Sequence, residues 1–333
     1  MEAIRVGLVE VGHWHSGMYV SALMDMDDVE IVAVSDRNVG VARRVGGKIG
    51  CPFYADYLDL LRNEELDFVF AFGVHLEMPR IIEALIDRGV AFMIEKPAGT
   101  DYRQLEPLVK RAEEENLFTA ISFPYRCSPW VRRIDEIRRS GLLGSFLHGY
   151  YRYITGSPMR YVDWGCPWML NRKLSGGGCT INLSIHFIDL ARYLTGSEVS
   201  RVFARMGNSG FNLEIEDLSI IVLELMDGSL HTIETGYCNP SGWNSAFSIT
   251  TRNYTFLVFG ERFRILGREE KELSLRNVNI YRDMIEETIR RFRAGMEPAA
   301  SLNDCLVALK VVNRAYESNI HGRSIDLMSD NPE

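Results

Sequence analysis

Ile4-Arg5-Val6-Gly7-Leu8-Val9-Glu10-Val11-Gly12-His13-Trp14-His15 is the stretch that decides the fold. A short β-rich run, Ile4–Val9, leads through Gly12 into a helical segment that continues to Met24. A dinucleotide-binding turn between strand and helix wants three glycines: one for the tight turn, one for close approach to the pyrophosphate, one for packing helix on strand. Only the middle one, Gly12, is in place; Glu10 holds the first position and His15 the third. A carboxylate at Glu10 would repel phosphate unless its side chain turns away. The surroundings keep the reading alive, because a second strand, Val29–Ser35, ends in Asp36. An acidic residue there accepts hydrogen bonds from the adenosine ribose and opposes a 2′-phosphate, so NAD is expected and NADP disfavoured. Gly12, His13, Trp14 and Asp36 are therefore cofactor candidates, with Arg37 beside the adenine or a phosphate. The competing reading is a solvent-exposed Asp-Arg turn with no ligand.

Outward from this loop, strand and helix signals alternate. Val39–Ile49 and Asp56–Asn63 read as helices, Phe68–Phe72 as an apolar strand, Pro79–Arg88 as a helix and Val90–Ile94 as a strand. Tyr102–Asn116 and Phe118–Ser122 continue the series. Apolar strands alternating with helices mean a doubly wound parallel sheet, so the fold class is α/β with an amino-terminal Rossmann domain. In such sheets the ligand lies outside the carboxyl ends of the strands. Phe72, Gly73 and His75 follow one strand end, and Glu95-Lys96-Pro97 follows the next. A lysine there can reach a small substrate beside a nicotinamide ring, and the proline fixes the backbone that aims it.

Near Phe123 the pattern changes, which sets domains of 1–123 and 124–333. A helix runs to about Arg139, and strands then follow one another: Phe146–Ile154, Val199–Met206, Leu218–Met226, Leu230–Tyr237, Phe247–Thr251 and Tyr254–Phe259. Asp227-Gly228 marks a hairpin between two of them. This second, α+β domain is expected to carry a large, mostly antiparallel open sheet. One helix, Thr180–Thr195, interrupts it behind Gly176-Gly177-Gly178; helices near Arg282–Ala294 and Asn303–Asn319 and a frayed polar tail close the chain.

The 333 residues suit two domains, and a net charge of −8 argues against a nucleic-acid partner. No apolar run is long enough to span a bilayer. No leader is read before the first strand, and six cysteines without a CxxC pair read as reduced thiols, so a cytoplasmic location is expected. His13-Trp14-His15 invites a metal reading, but no matching ligand set accompanies it and none is expected.

Taken together, Glu95-Lys96-Pro97, Tyr125-Arg126-Cys127-Ser128-Pro129, the glycine run leading to His186, and the closing Ala315–Leu327 stretch resemble the glucose–fructose oxidoreductase and inositol dehydrogenase (Gfo/Idh/MocA) family. The resemblance covers Ile4 to about Leu327. It implies an NAD(P)-dependent oxidoreductase acting on a CH–OH group of a sugar, cyclitol or related polyol, working as a homodimer or homotetramer. It implies that Lys96 and His186 are catalytic. The sequence departs from the family at Asn182, where an aspartate is common, at Val74 for an asparagine and at Met169 for an arginine.

Oxidising an alcohol moves a hydride from carbon and a proton from oxygen. An imidazole titrates near neutrality, which suits His186 as base. Asn182 lies four residues earlier on the same helix face and Asp189 three residues later, placed to orient the ring. Without a carboxylate at 182, an effect of roughly 1–3 pKa units is lost and His186 is less basic. Lys96 would stabilise the alkoxide. Tyr125, Tyr161, Asp163, Trp164 and Trp168 are substrate candidates beside Asn182 and His186, and Arg126 joins the cofactor set. Two rivals stand beside the dehydrogenase: a non-catalytic nucleotide-binding regulator or sensor, and an enzyme that recycles its cofactor within a net hydrolysis or isomerisation. A core role for His186 and a surface ion pair for Glu95-Lys96 are the plain structural alternatives.

Overall fold

The computed structural model describes residues 2–267 and 270–328, so Met1 and the last five residues of the expected tail lie outside the described residues. Contacts divide the chain into two compact units: 1–124 with 159–176 and 281–306, and 125–158 with 177–280 and 307–333. The sequence reading keeps everything after Phe123 together. The two returning segments differ from it because their apolar side chains pack on the first sheet and its loops, which no strand or helix period records.

In the first unit the elements are β1 (Ile4–Val9), α1 (Ser16–Met24), β2 (Val29–Ser35), α2 (Val39–Ile49), β3 (Phe53–Tyr54), α3 (Tyr57–Asn63), β4 (Phe68–Ala71), α4 (Met78–Arg88), β5 (Ala91–Ile94), α5 (Tyr102–Glu114) and β6 (Thr119–Ile121). The six strands are all parallel, in the order β3-β2-β1-β4-β5-β6. Helices cover both faces of such a sheet, so its strands must be apolar on both sides. Phe68, Val69 and Phe70 are wholly buried, as are Phe92 and Ile94. Chain order reverses between β1 and β4, and the loops after β1, β2, β4 and β5 leave from the carboxyl edge that frames this switch point.

The second unit begins with α6 (Pro129–Arg139) and β7 (Phe146–Ile154). Two short helices of the first unit, α7 (Arg160–Asp163) and α8 (Arg172–Ser175), come next, followed by α9 (Ile185–Thr195), β8 (Val199–Gly207), β9 (Leu218–Leu225), β10 (Leu230–Gly236), β11 (Asn244–Thr251), β12 (Thr255–Phe259), β13 (Arg262–Leu266) and β14 (Lys271–Ser274). α10 (Ile280–Arg293), α11 (Leu302–His321) and β15 (Ile325–Asp326) close the chain. Nine strands form one sheet, β14-β13-β12-β11-β7-β10-β9-β8-β15, antiparallel except where β7 meets β10. α9 is buried along its length, with Phe187 stacked on Tyr151 of β7. On β9 the alternation leaves Ile220 and Val222 exposed, so the other face of the sheet is open.

Three local differences have physical causes. β3 and β15 are two residues each and β14 is polar, too short or too hydrophilic to show a period. Ile325 pairs with Val202, which orders part of the expected frayed tail. Thr180–Thr195 is not one α-helix, because Thr180–Ser184 is wound as a π-turn before α9.

Candidate active site

The loop after β1 reaches the geometry of a dinucleotide turn with only one of its glycines. Glu10 adopts φ 58°, the left-handed conformation a glycine would supply. Its carboxylate turns onto Arg37, with Oε2 2.8 Å from Nε, and Arg37 extends its other arm to Glu77, just after β4. Burial raises the Glu10 carboxyl above its ordinary range, and the Arg37 hydrogen bond opposes that rise. The expected repulsion of phosphate is thus met by an ion pair. Gly12 is constrained sterically: a Cβ there would lie 2.7 Å from Asp36 Oδ2, which accepts the Gly12 N–H at 2.6 Å. Asp36 Oδ1 takes the N–H of Asn38 at 2.8 Å. An ionised carboxylate offers about four acceptor positions, so room for ribose hydroxyls remains.

A cavity of about 470 Å³ opens over this loop, lined by Gly12, Asp36, Arg37, Val74, Trp164 and Trp168 among others. The aromatic segment after β7, expected to serve substrate from the second domain, belongs to the first unit instead. Trp14 meets Tyr161 edge-on at 5.0 Å and Trp168 at 5.8 Å, and Cys166 Sγ lies 3.4 Å from the Gly12 carbonyl oxygen. Tyr161 is buried, whereas Asp163 and Trp164 are exposed. His13 stacks on Trp14 and Phe72, and burial holds its imidazole well below the ordinary value. His75 Nδ1 lies 2.8 Å from the Ser175 carbonyl oxygen, and burial lowers its pKa to about 3. Gly73 carries φ 143° and brings the end of β4 against Met78 and Ile81.

Beyond β5 the buried pair Glu95 and Lys96 begins a cis peptide at Lys96–Pro97. Glu95 Oε1 gathers the Tyr19 hydroxyl at 2.7 Å, the Ser122 hydroxyl at 3.1 Å and the His15 ring Nδ1 at 3.1 Å. His15 Nε2 in turn lies 3.4 Å from Tyr281 Oη. The residue in the third glycine position therefore reaches the glutamate that precedes Lys96. Burial alone would raise the Glu95 carboxyl, but His15, His13 and Lys96 hold it below the ordinary range. Lys96 is pushed down to about 8 by burial, against the pull of Glu95. Sequence reading placed His15 at the mouth of the cleft without its link to Glu95, and missed Glu77 and Tyr281, because a ring or charge that meets its partner 40 to 266 residues away leaves no local period.

In the second unit, the glycine run is held by Glu216. Its Oε1 accepts the N–H groups of Gly178 at 2.9 Å and Thr180 at 3.0 Å and the Tyr316 hydroxyl at 2.7 Å. This carboxylate satisfies amides that a helix start leaves without partners, and the chain behind it winds as the π-turn. Asn182 donates from Nδ2 to Tyr237 Oη at 2.9 Å. His186, 7% exposed, meets Tyr125 edge-on at 5.8 Å between centroids. Asp189, expected from its spacing to orient His186, is gripped by Arg126 at 2.9 and 2.5 Å, and the guanidinium lies over the Tyr193 ring. A buried guanidinium needs such a paired partner, and Asp189 supplies it for Arg126, the residue expected in the cofactor set.

A parallel sheet with an acidic second-strand end, a glycine held against it and a buried lysine beyond β5 defines a dinucleotide-dependent oxidoreductase. Residues 4–123 match "Oxidoreductase family, NAD-binding Rossmann fold" and residues 131–269 match "GFO/IDH/MocA C-terminal domain". The chain belongs to the GFO/IDH/MocA oxidoreductase family, as the resemblance of its motifs implies. Among relatives, it is 24% identical over 327 residues to the rhizopine catabolism protein MocA of Rhizobium meliloti, covering 95% of each chain. To myo-inositol 2-dehydrogenase of Thermotoga maritima it is 22% identical, covering 97% of this chain and 98% of the other. The fold matches an oxidoreductase from Agrobacterium radiobacter, solved with NAD+, L-tartaric acid and magnesium, at TM-score 0.86 and 20% identity, over 97% and 98% of the two chains.

Proposed function

We propose that the protein is an NAD-dependent dehydrogenase that oxidises a CH–OH carbon of a sugar, cyclitol or related polyol. The observation that carries the proposal is Lys96, a cation 2% exposed at the carboxyl edge of an NAD-binding sheet, with Glu95 as its neighbour. The myo-inositol 2-dehydrogenase relative supports the substrate class. Bound NAD supplies a nicotinamide ring that accepts hydride. Lys96 Nζ would stabilise the negative charge that grows on the substrate oxygen. His186 would accept the proton leaving that oxygen, and Asn182 would hold a neighbouring hydroxyl from an amide already fixed by Tyr237. Gly12, Asp36, Gly73 and the aromatic wall of Trp14, Trp164 and Trp168 would seat the cofactor, Tyr125 and Tyr161 the polyol. Exposed Ile220 and Val222 favour a homodimer or homotetramer built through the open sheet face, and the scattered cysteines favour the cytoplasm.

Fluorescence titration with NADH and NADPH, followed by a polyol screen, tests the reading. Tight NADH binding is expected; absence of binding to either would leave the regulator in the lead. Lys96→Ala should lower turnover by roughly 10³-fold or more while NADH still binds. Loss of NADH binding instead would make Lys96 a cofactor or structural residue. Because Lys96 releases its proton near pH 8, kcat/KM should fall as pH rises through that value. A profile flat to pH 9.5 would remove the ammonium from the mechanism.

A further inference from the structure

Arg37 follows Asp36 directly, at the place where an arginine serves a 2′-phosphate in enzymes that take NADP. Here that arginine is already held. Its Nε meets Glu10 Oε2 at 2.8 Å and its second arm meets Glu77, so two carboxylates from different loops share one guanidinium. Glu10 is 6% exposed and occupies a left-handed backbone position, which is an unfavourable place for a non-glycine residue without a compensating partner. Glu77 stands in the short turn His75–Glu77 after β4, across the switch point from β2. Around the ribose position the structure therefore gathers three carboxylates, Glu10, Asp36 and Glu77, against Arg37. A second cation, Arg44 on α2, also lines the cavity and is exposed.

We propose that Glu10 and Glu77 are selectivity residues which, by holding Arg37 between them, deny NADP the cation its 2′-phosphate needs. The inference rests on the dinucleotide reading above and deepens it. Asp36 opposes the 2′-phosphate by its own charge, and the two glutamates remove the residue best placed to offset that charge. A guanidinium binds phosphate strongly because its planar fork donates two parallel charge-assisted hydrogen bonds. Glu10 takes the Nε donor and Glu77 an Nη2 donor, which together form the side-on edge of the fork, so that donor pair is already occupied and the cation's charge is shared between two carboxylates.

The test is the ratio of NADPH to NADH dissociation constants, measured by fluorescence titration at fixed ionic strength. It uses the full chain and its Glu77→Gln, Glu10→Gln and double variants. Glu77 is partly exposed, so Glu77→Gln alone serves if the Glu10 variant folds poorly. The double variant should move the ratio toward NADPH by roughly tenfold. Adding Arg37→Ala should abolish the gain, and adding Arg44→Ala should leave it. A ratio that stays put while NADH still binds overturns the proposal and spares the dinucleotide reading. A gain that disappears with Arg44→Ala and survives Arg37→Ala overturns it equally. Failure of the unaltered protein to bind either nucleotide overturns the reading itself.

Discussion

Two glycine-dependent turns in this protein have met opposite fates. The loop after β1 has lost two of its three expected glycines and kept its course; the run Gly176-Gly177-Gly178 has kept all three. At Glu10 the requirement is conformational only, a left-handed φ of 58°, which any residue can adopt at a cost of about 1–2 kcal/mol. At Gly178 the requirement is steric, because a Cβ would lie 2.0 Å from the main-chain oxygen of Glu216. Gly177 adds φ 156° and a Cβ position 1.9 Å from Tyr316 Oη. A conformational demand can be offset by a neighbouring charge. A collision with backbone cannot.

Gly178→Ala should therefore have the largest effect on stability. The clash involves main chain on both sides, so relief requires moving the segment that carries the Glu216 bonds to Gly178 and Thr180. Overpacking of this kind costs roughly 3 kcal/mol. Chemical denaturation should show that loss, and any soluble variant should have lost turnover. A loss under 1 kcal/mol would mean the glycine run yields as easily as the first loop.

His15→Gly probes the first loop from the other direction, since it restores a glycine the fingerprint asks for. The gain for packing helix on strand is set against the loss of a ring at 3.1 Å from the buried Glu95 carboxylate. Weakening a buried charge's hydrogen bonds costs about 2 kcal/mol, which outweighs any packing gain. Glu95 lies below its ordinary carboxyl value, so its contribution is present above about pH 4.5 and is lost as pH falls toward the lower folded value. In the variant that carboxyl rises and takes a proton more readily. The deficit should accordingly be full at neutral pH and shrink only as pH falls below about 4.5, read from urea midpoints between pH 7 and pH 3. A variant as stable as the parent at neutral pH would show that His15 is incidental to Glu95.

The contrast also separates what the chain reveals from what it conceals. β1, β4 and β5 are legible because buried parallel strands must be continuously apolar. Lys96 and Asp36 are legible because strand ends fix their position on the sheet edge. The partners that set their chemistry are not. Glu77 closes on Arg37 across 40 residues and Tyr281 on His15 across 266, and no spacing rule joins them. Asp189 shows the same limit from the other side. Helical spacing offers it to His186 and says nothing of Arg126, 63 residues earlier, whose buried guanidinium needs a paired carboxylate. The π-turn at Thr180–Ser184 is invisible for a related reason: it depends on Glu216, from a distant loop.

The smallest effect is expected where the fingerprint is most visibly broken, at Glu10→Gly. Three terms of similar size compete. Relief of the left-handed backbone gains about 1 kcal/mol. The added flexibility of glycine in the unfolded chain costs roughly 0.5–1 kcal/mol. The ion pair to Arg37 is worth less than its 2.8 Å suggests, because Arg37 is 51% exposed and shared with Glu77; about 0.5 kcal/mol is a fair value. The sum lies within about 1 kcal/mol of zero, so denaturation midpoints should barely move. A loss above 2 kcal/mol would make the Glu10–Arg37–Glu77 cluster the element that holds the loop. A gain above 1 kcal/mol would show that the loop keeps its glutamate against its own stability, as selection for cofactor discrimination requires.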